Sequence, residues 1–165
     1  MKLPTLFVAF FIVLAFAGCS HRPKGMPETL TCKIVVVNDG KPQVDYFVRL
    51  HLADGNGALT IMASTNSSGV AEIQTCMADY TTKGAPAGAY KVTIDKPVEL
   101  PPDGVDTSQL SHSDLAAYHG KRKAEAEKLR IVPLHLTQFD TTPFEFTLEK
   151  GGESQWTFDL KEHLQ

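Results

Sequence analysis

Short runs in which apolar and polar residues alternate dominate the chain from Thr31 onward. Side chains of a β-strand point to opposite faces in turn, so each run predicts a strand with one buried face. Clusters of turn residues, such as Asp39-Gly40 and 66–69, separate the runs. This regular spacing of short strands and turns favours an all-β, antiparallel sandwich.

Seven strands are predicted from this pattern, over residues 31–38, 44–52, 58–65, 70–76, 90–94, 144–148 and 156–160. In the second strand, Val44 is expected to share the buried face with Tyr46 and Val48. The last two strands flank a Lys-Gly-Gly-Glu turn and carry matching apolar faces. We therefore expect them to form a hairpin at the end of the domain.

The segment Ser111–Arg130 departs from the alternating pattern and is rich in helix-forming residues. A capping box from Ser111 to Asp114 would start a helix there. Gly120 weakens the middle, so the pattern predicts one or two helical turns after Ser113 and another short helix over 123–129. The result is a short helical insertion, about 111–130, in the long crossover before the last two strands.

Three segments carry a resemblance to known domains: VVVNDGKPQVDYFVRLHL, TNSSGVAEIQT and GAPAGAYKVTI. In this order they resemble the carboxypeptidase regulatory-like and transthyretin-like domains of bacterial envelope proteins. The later IVPLHLTQFDTTPFEFTLEKGG is similar to small lipoproteins of this type from planctomycetes. The resemblance covers most of Cys32 to Leu160 and implies a seven-stranded immunoglobulin-like or transthyretin-like sandwich. These families commonly place an aspartate and a large aromatic where this chain has Ser68 and Ala71.

The N-terminus has the layout of a secretory signal, with Lys2 followed by an apolar run to Gly18. A membrane-spanning helix needs about 20 apolar residues, so spanning is less favoured. The sequence Phe16-Ala17-Gly18-Cys19 resembles a bacterial lipobox, which implies removal of residues 1–18 and acylation of Cys19, with palmitate among the expected chains. The alternative is ordinary cleavage elsewhere, which leaves Cys19 as a thiol or disulfide partner.

Export and lipidation would fix the location of everything that follows Cys19. Residues 19–29 then form a lipidated N-terminus and tether, and residues 30–165 form the domain, anchored on the periplasmic or outer-surface face of the bacterial cell envelope. Cys32 and Cys76 would mature in an oxidising compartment. Either a disulfide joins them or each packs separately as a buried thiol.

Few residues in the chain suggest chemistry. The net charge of -3 provides no basic field, which makes nucleic acid an improbable partner. His112, His119 and His135 are weak candidates for a metal site because their spacing matches no metal motif, and no cofactor is expected. Tyr80 and Tyr118 fall in predicted loop or crossover segments, where an exposed aromatic side chain could contact a ligand.

These observations predict a non-enzymatic, lipid-anchored module of the cell envelope with a structural or protein-interaction role. Its expected partners are the membrane, through the anchor, and an unidentified envelope protein or glycan. The alternative function is carbohydrate or small-ligand binding through Tyr80, Tyr118 and the crossover 96–143. A metal-dependent enzyme built on the three histidines is the least favoured interpretation.

Overall fold

The computed structural model describes residues 24–53 and 59–164. These residues form two sheets that share one core, together with one helix of more than seven residues. The predicted signal peptide, Cys19 and the tether up to residue 23 lie outside the described residues. Of the helices in the described residues, none is both long enough and apolar enough to cross a membrane.

Ten strand segments occur in the described residues: β1 (Lys33–Asn38), β2 (Lys41–Pro42), β3 (Phe47–Leu52), β4 (Thr60–Ser64), β5 (Val70–Glu72), β6 (Gln74–Met77), β7 (Tyr80–Lys83), β8 (Gly88–Asp95), β9 (Glu145–Leu148) and β10 (Gln155–Asp159). The helices are α1 (His112–Lys128) and α2 (Leu134–Thr137), preceded by a single 3-10 turn at Thr107–Gln109. The seven predicted strands correspond to β1, β3, β4, β5 with β6, β8, β9 and β10. The sequence missed β2 and β7, which are short and mostly exposed.

The two sheets differ in size and in strand direction. The larger sheet has the order β7-β6-β4-β3-β8-β9, and all its neighbouring strands are antiparallel. In the smaller sheet β1 is central, with β10 on one side and both β2 and β5 on the other. The β1–β10 pair is parallel, so the smaller sheet is not purely antiparallel as the sequence predicted.

Alternation of side chains builds the core between the sheets. Ile34 and Val36 of β1 are fully buried, as are Val48 of β3 and Val92 and Ile94 of β8. These β-branched side chains pack well on a pleated surface, which explains why the runs that contain them form strands. Burying such a side chain contributes about 1.5 to 3 kcal/mol. The shared core therefore holds the two sheets together.

The predicted final hairpin is wrong. β9 pairs with β8 in the larger sheet, whereas β10 pairs with β1 in the smaller one, so the turn after β9 leads from one sheet to the other. The apolar faces still meet, because the rings of Phe146 and Trp156 lie 4.1 Å apart between centroids. Matching apolar faces can pack across a core as well as side by side, and alternation alone does not distinguish these arrangements.

Two other strands differ from their predicted form. The predicted strand 70–76 divides at Ile73, so that β5 joins the smaller sheet and β6 the larger one. Ile73 itself is buried, as expected. The strand predicted from Val44 begins at Phe47 instead, because Asp45 has a positive φ of 60° that interrupts extended backbone. Val44 is therefore 38% exposed and does not share the buried face.

The segment 111–130 forms one continuous helix, α1, rather than the two short ones predicted. Ser111 caps α1, since its side chain accepts a hydrogen bond from the Asp114 amide, as the capping box indicated. Gly120 lies within the helix without ending it. No residue of α1 is buried, whereas α2 contributes the fully buried Leu136 to the core. The crossover is therefore fixed mainly at its α2 end.

Residues before position 30 already pack against the domain, although the sequence predicted that the domain begins at residue 30. Met26 is buried, and Leu30 exchanges two backbone hydrogen bonds with Ala85 at 2.7 and 3.0 Å. Gly84 makes this approach fit, because it has a φ of +88° and a Cβ atom there would overlap the carbonyl oxygen of Leu30. The described end of the predicted tether is thus packed against the domain.

We expect Gly84→Ala to lower the free energy of unfolding by at least about 2 kcal/mol, because the substitution adds both strain at positive φ and a backbone overlap. The control is Gly120→Ala, which places a methyl group in open space on a helix. This change should raise the free energy of unfolding by up to about 1 kcal/mol. Denaturant unfolding measures both, and equal effects of the two variants would contradict the prediction.

Candidate functional site

The outer face of the larger sheet carries an unusual set of polar side chains where β3 and β8 pair. The register places His51 opposite Lys91, Arg49 opposite Thr93 and Phe47 opposite Asp95. Residues two apart along a strand share a face, so these six side chains lie together on the side away from the core. Thr137, at the end of α2, completes this surface.

Two adjoining depressions form a groove on this face, which we call the outer groove. Its polar end has a volume of about 280 Å³ and is lined by Phe47, Arg49, His51, Thr93, Asp95 and Thr137. Its second end has a volume of about 450 Å³ and includes Phe47, Met62, Glu72, Gln74 and Cys76 among its lining residues. Phe47 lines both ends and therefore lies between them.

At the polar end, Asp95 has an ion-pair partner and Arg49 has none among the described residues. The carboxylate of Asp95 lies 3.4 Å from a guanidinium nitrogen of Arg130, and its Oδ1 also accepts a hydrogen bond from the Lys96 amide. Arg49, by contrast, is exposed and forms no ion pair with any carboxylate of residues 24–53 and 59–164. Its guanidinium instead lies 5.7 Å from the centre of the Phe47 ring. The polar end thus presents a cation without an acidic partner in the described chain.

The pKa of His51 is shifted in this groove. Partial burial lowers its pKa below the usual 6.5, and the positive charge of Arg49 lowers it further. At neutral pH the ring is therefore uncharged and can both donate and accept a hydrogen bond. Its Nε2 lies 2.9 Å from the Thr93 hydroxyl. The centre of its ring lies 5.6 Å from the centre of the Phe139 ring, and the two rings form a T-shaped pair.

A hydroxyl beside an imidazole is also the start of a nucleophile–base pair. In hydrolases of this kind a carboxylate orients the histidine. Here the nearby carboxylate, Asp95, pairs with Arg130 instead. Thr93 is also only 7% exposed, beneath the groove surface. The arrangement suits hydrogen bonding to a ligand better than attack on one.

The two tyrosines predicted to contact a ligand do not share a surface. Tyr80 lies on β7, an edge strand, rather than in the predicted loop. Four strand spacings, about 19 Å, separate β7 from β8, where the crossover begins. Tyr118 lies on α1 and donates a hydrogen bond to Asp103 at 3.2 Å. It therefore helps to fasten α1 to the preceding segment.

The candidate histidines are not gathered into a metal site. His112 and His119 lie on α1, and His135 lies on α2, where its ring neighbours that of His163 at 6.1 Å. Within the described part of the chain, no three His, Cys, Asp or Glu side chains are grouped as a metal ion would require. The weak metal interpretation gains no support from the geometry.

Cys32 and Cys76 are both free thiols in the structure, so the disulfide that the sequence left open is not formed. Cys32 directly precedes β1 and is buried in the same core cluster as Ile34, and burial raises the pKa of its thiol to about 12. Cys76 is partly exposed and lines the outer groove instead. The two residues therefore face opposite sides of the larger sheet.

Sequence reasoning missed the groove residues. Alternation did place Arg49 and His51 on the polar face of one strand, and Lys91, Thr93 and Asp95 on the polar face of another. Such positions are usually solvated, and nothing in the sequence revealed that β3 and β8 are neighbours. The pairing of β3 with β8 was needed to predict the groove, and only the structure shows it.

Comparisons with known proteins do not add to this description. No family model, no curated protein and no solved structure matches the chain. The resemblance to carboxypeptidase regulatory-like and transthyretin-like domains therefore stays a prediction.

We expect the pKa of His51 to rise towards 6.5, without reaching it, when Arg49 is replaced by Gln, because the variant loses the nearby charge but keeps the burial. NMR titration of the histidine ring measures this shift.

In the parent protein, the free energy of unfolding should fall as the pH drops from about 6.5 towards the lower folded-state pKa, since the unfolded state then binds more protons.

The matched control for this titration is Arg122→Gln, which removes the same charge from α1. It should leave the pKa of His51 unchanged. Equal shifts in the two variants would show that Arg49 has no specific effect on His51.

Proposed function

We propose that the protein is a non-enzymatic binding module, anchored by a lipid on Cys19 at the bacterial cell envelope, that holds a small ligand in the outer groove. The observation that carries this proposal is the exposed guanidinium of Arg49 beside a cavity of about 280 Å³. Ligand sites combine a concave surface with a few well-placed polar groups. The polar end of the outer groove has both features.

Of the two roles that the sequence left open, small-ligand or carbohydrate binding is therefore preferred to a purely structural role. The proposed ligand site lies on β3 and β8, whereas the sequence predicted it at Tyr80 and Tyr118. Phe139 is the aromatic side chain best placed to contribute, since it is 40% exposed and borders His51 and Lys91. Its side chain offers an apolar surface at the edge of a polar cavity.

The proposed anchor would hold the domain close to the membrane. Because Met26 is buried in the domain, only residues 20–25 would separate it from a lipidated Cys19. Six or seven extended residues span at most roughly 25 Å. A ligand of the envelope surface would thus be within reach, whichever leaflet carries the lipid.

We also propose that the domain is a seven-stranded immunoglobulin-like or transthyretin-like sandwich related to the carboxypeptidase regulatory-like domains. Two sheets around one core are consistent with this assignment. In this interpretation β2 and β7 are additions to the seven strands, and β5 with β6 is one strand that changes sheet.

Exposed apolar residues favour a protein-interaction role as the second candidate function. Leu129, Ile131 and Leu134, between α1 and the start of α2, are 58, 62 and 53% exposed. Large apolar side chains that are this exposed and this close in sequence are typical of contact surfaces.

A glycan array tests the binding role. We expect the full-length chain to be retained by a subset of glycans and retention to fall at least fivefold in Phe139→Ser. Val105→Ser is the control, because Val105 is similarly exposed, at 46%, but lies in the segment before α1. If no glycan retains the protein, carbohydrate binding is wrong and the protein-interaction role is the remaining candidate.

The anchor has a separate test in Cys19→Ser. We expect this variant to lose metabolic labelling with a palmitate analogue and to leave the membrane fraction, because the acyl chains supply the membrane affinity. Cys76→Ser is the matched control and should keep both properties. If Cys19→Ser stays in the membrane fraction, the lipid anchor is wrong.

A further inference from the structure

The polar end of the outer groove holds one positive charge that no carboxylate of the described residues pairs. Lys91 lies outside its lining and faces Glu145 across the β8–β9 pair. Arg49 lines it, and Asp95 supplies the carboxylate of the lining. Arg130 already pairs with that carboxylate. The remaining positive charge favours a ligand that brings its own negative group.

Arg49 is placed to receive a planar anion. Its neighbours across the strands are Thr93 on one side and Met62 on the other, and neither carries a charge. The guanidinium lies near the Phe47 ring, at a distance typical of a cation–π contact. A guanidinium offers paired N–H donors in a fork that matches a carboxylate. A carboxylate is therefore an anion that this side chain can bind through two parallel hydrogen bonds.

Neutral groups around Arg49 indicate what else the ligand carries. The ring of His51 and the hydroxyl of Thr137 line the same cavity. Nε2 of His51 already bonds Thr93, which leaves Nδ1 for a ligand hydroxyl. Thr137 already donates to the carbonyl oxygen of Leu134, so its oxygen can only accept. The Phe139 ring borders His51 and provides an apolar surface. Hydroxyl groups on one side and apolar C–H groups on the other are the two kinds of surface that a sugar ring presents.

We propose that the polar end of the outer groove binds an acidic sugar, with the ligand carboxylate on Arg49 and its hydroxyls near His51 and Thr137. This inference rests on the proposed binding function and specifies its ligand class. The cavity of about 280 Å³ is close to the lower limit of about 300 Å³ for small-molecule sites. It therefore suits one sugar ring rather than a long chain buried along its length.

Calorimetric titration of the full-length chain in detergent tests this inference with four probes: glucuronate, glucose, acetate and inorganic phosphate. We expect glucuronate to bind at least tenfold more tightly than any of the other three. Glucose lacks the carboxylate, acetate lacks the ring, and phosphate lacks both the ring and the planar shape. The comparison thus separates an acidic sugar from a neutral sugar and from a general anion.

Substitutions of Arg49 test whether this residue binds the ligand carboxylate. Arg49→Gln should weaken glucuronate binding at least tenfold, and Arg49→Lys, which keeps the charge but loses the fork, at least threefold. Arg122→Gln is the control, since Arg122 lies on α1 and pairs with Asp103, and it should change the affinity less than twofold. Thermal unfolding of each variant verifies that it remains folded.

Each other result overturns the inference. Equal binding of glucose and glucuronate would show that the carboxylate is irrelevant, and equal binding of phosphate and glucuronate would show a general anion site. Glucuronate binding that survives Arg49→Gln would place the site elsewhere. If none of the probes binds, the acidic-sugar class is wrong, while retention of other glycans on the array would still support a binding module. Failure of both experiments would overturn the binding function itself.

Discussion

The antiparallel pairing of β3 with β8 determines what lies on both faces of the larger sheet. On one face it brings Val48 next to Ile94 and Leu50 next to Val92, and these side chains form the centre of the core. On the other face the same register brings Arg49 next to Thr93. A shift of one residue would exchange the two faces. The stability of the core therefore fixes the geometry of the groove, because the core cannot accept an arginine.

This dependence explains how much the sequence could predict. Period-two alternation identified the main strands and most of their buried residues, since alternation reflects the local geometry of a strand. It could not identify strand neighbours, because pairing depends on long-range packing. The predicted hairpin of β9 and β10 failed for this reason: Phe146 and Trp156 do meet, but across the core. The groove was missed for the same reason, although its residues were placed on the correct faces.

The crossover from β8 to β9 combines a rigid end with a loosely attached one. Leu136 of α2 is fully buried, and the hydroxyl of Thr142 bonds the carbonyl oxygen of Val92 at 2.5 Å. α1, in contrast, is held by surface contacts, such as that of Arg122 with the carbonyl oxygen of Pro101. Such contacts contribute little to stability. Thr137 and Phe139 are therefore well fixed beside the groove, whereas sequence changes in α1 should be tolerated more easily.

The parallel pair of β1 and β10 has a consequence for the order of folding. Among the strands of the described residues β1 is the first and β10 the last, so the centre of the smaller sheet joins two segments that are far apart in the sequence. Contacts of such large sequence separation form late and slowly, because a long loop must close first. Until residue 159 has left the ribosome, one edge of β1 has no partner strand. The larger sheet, whose strands all lie between residues 47 and 148, can assemble before that point.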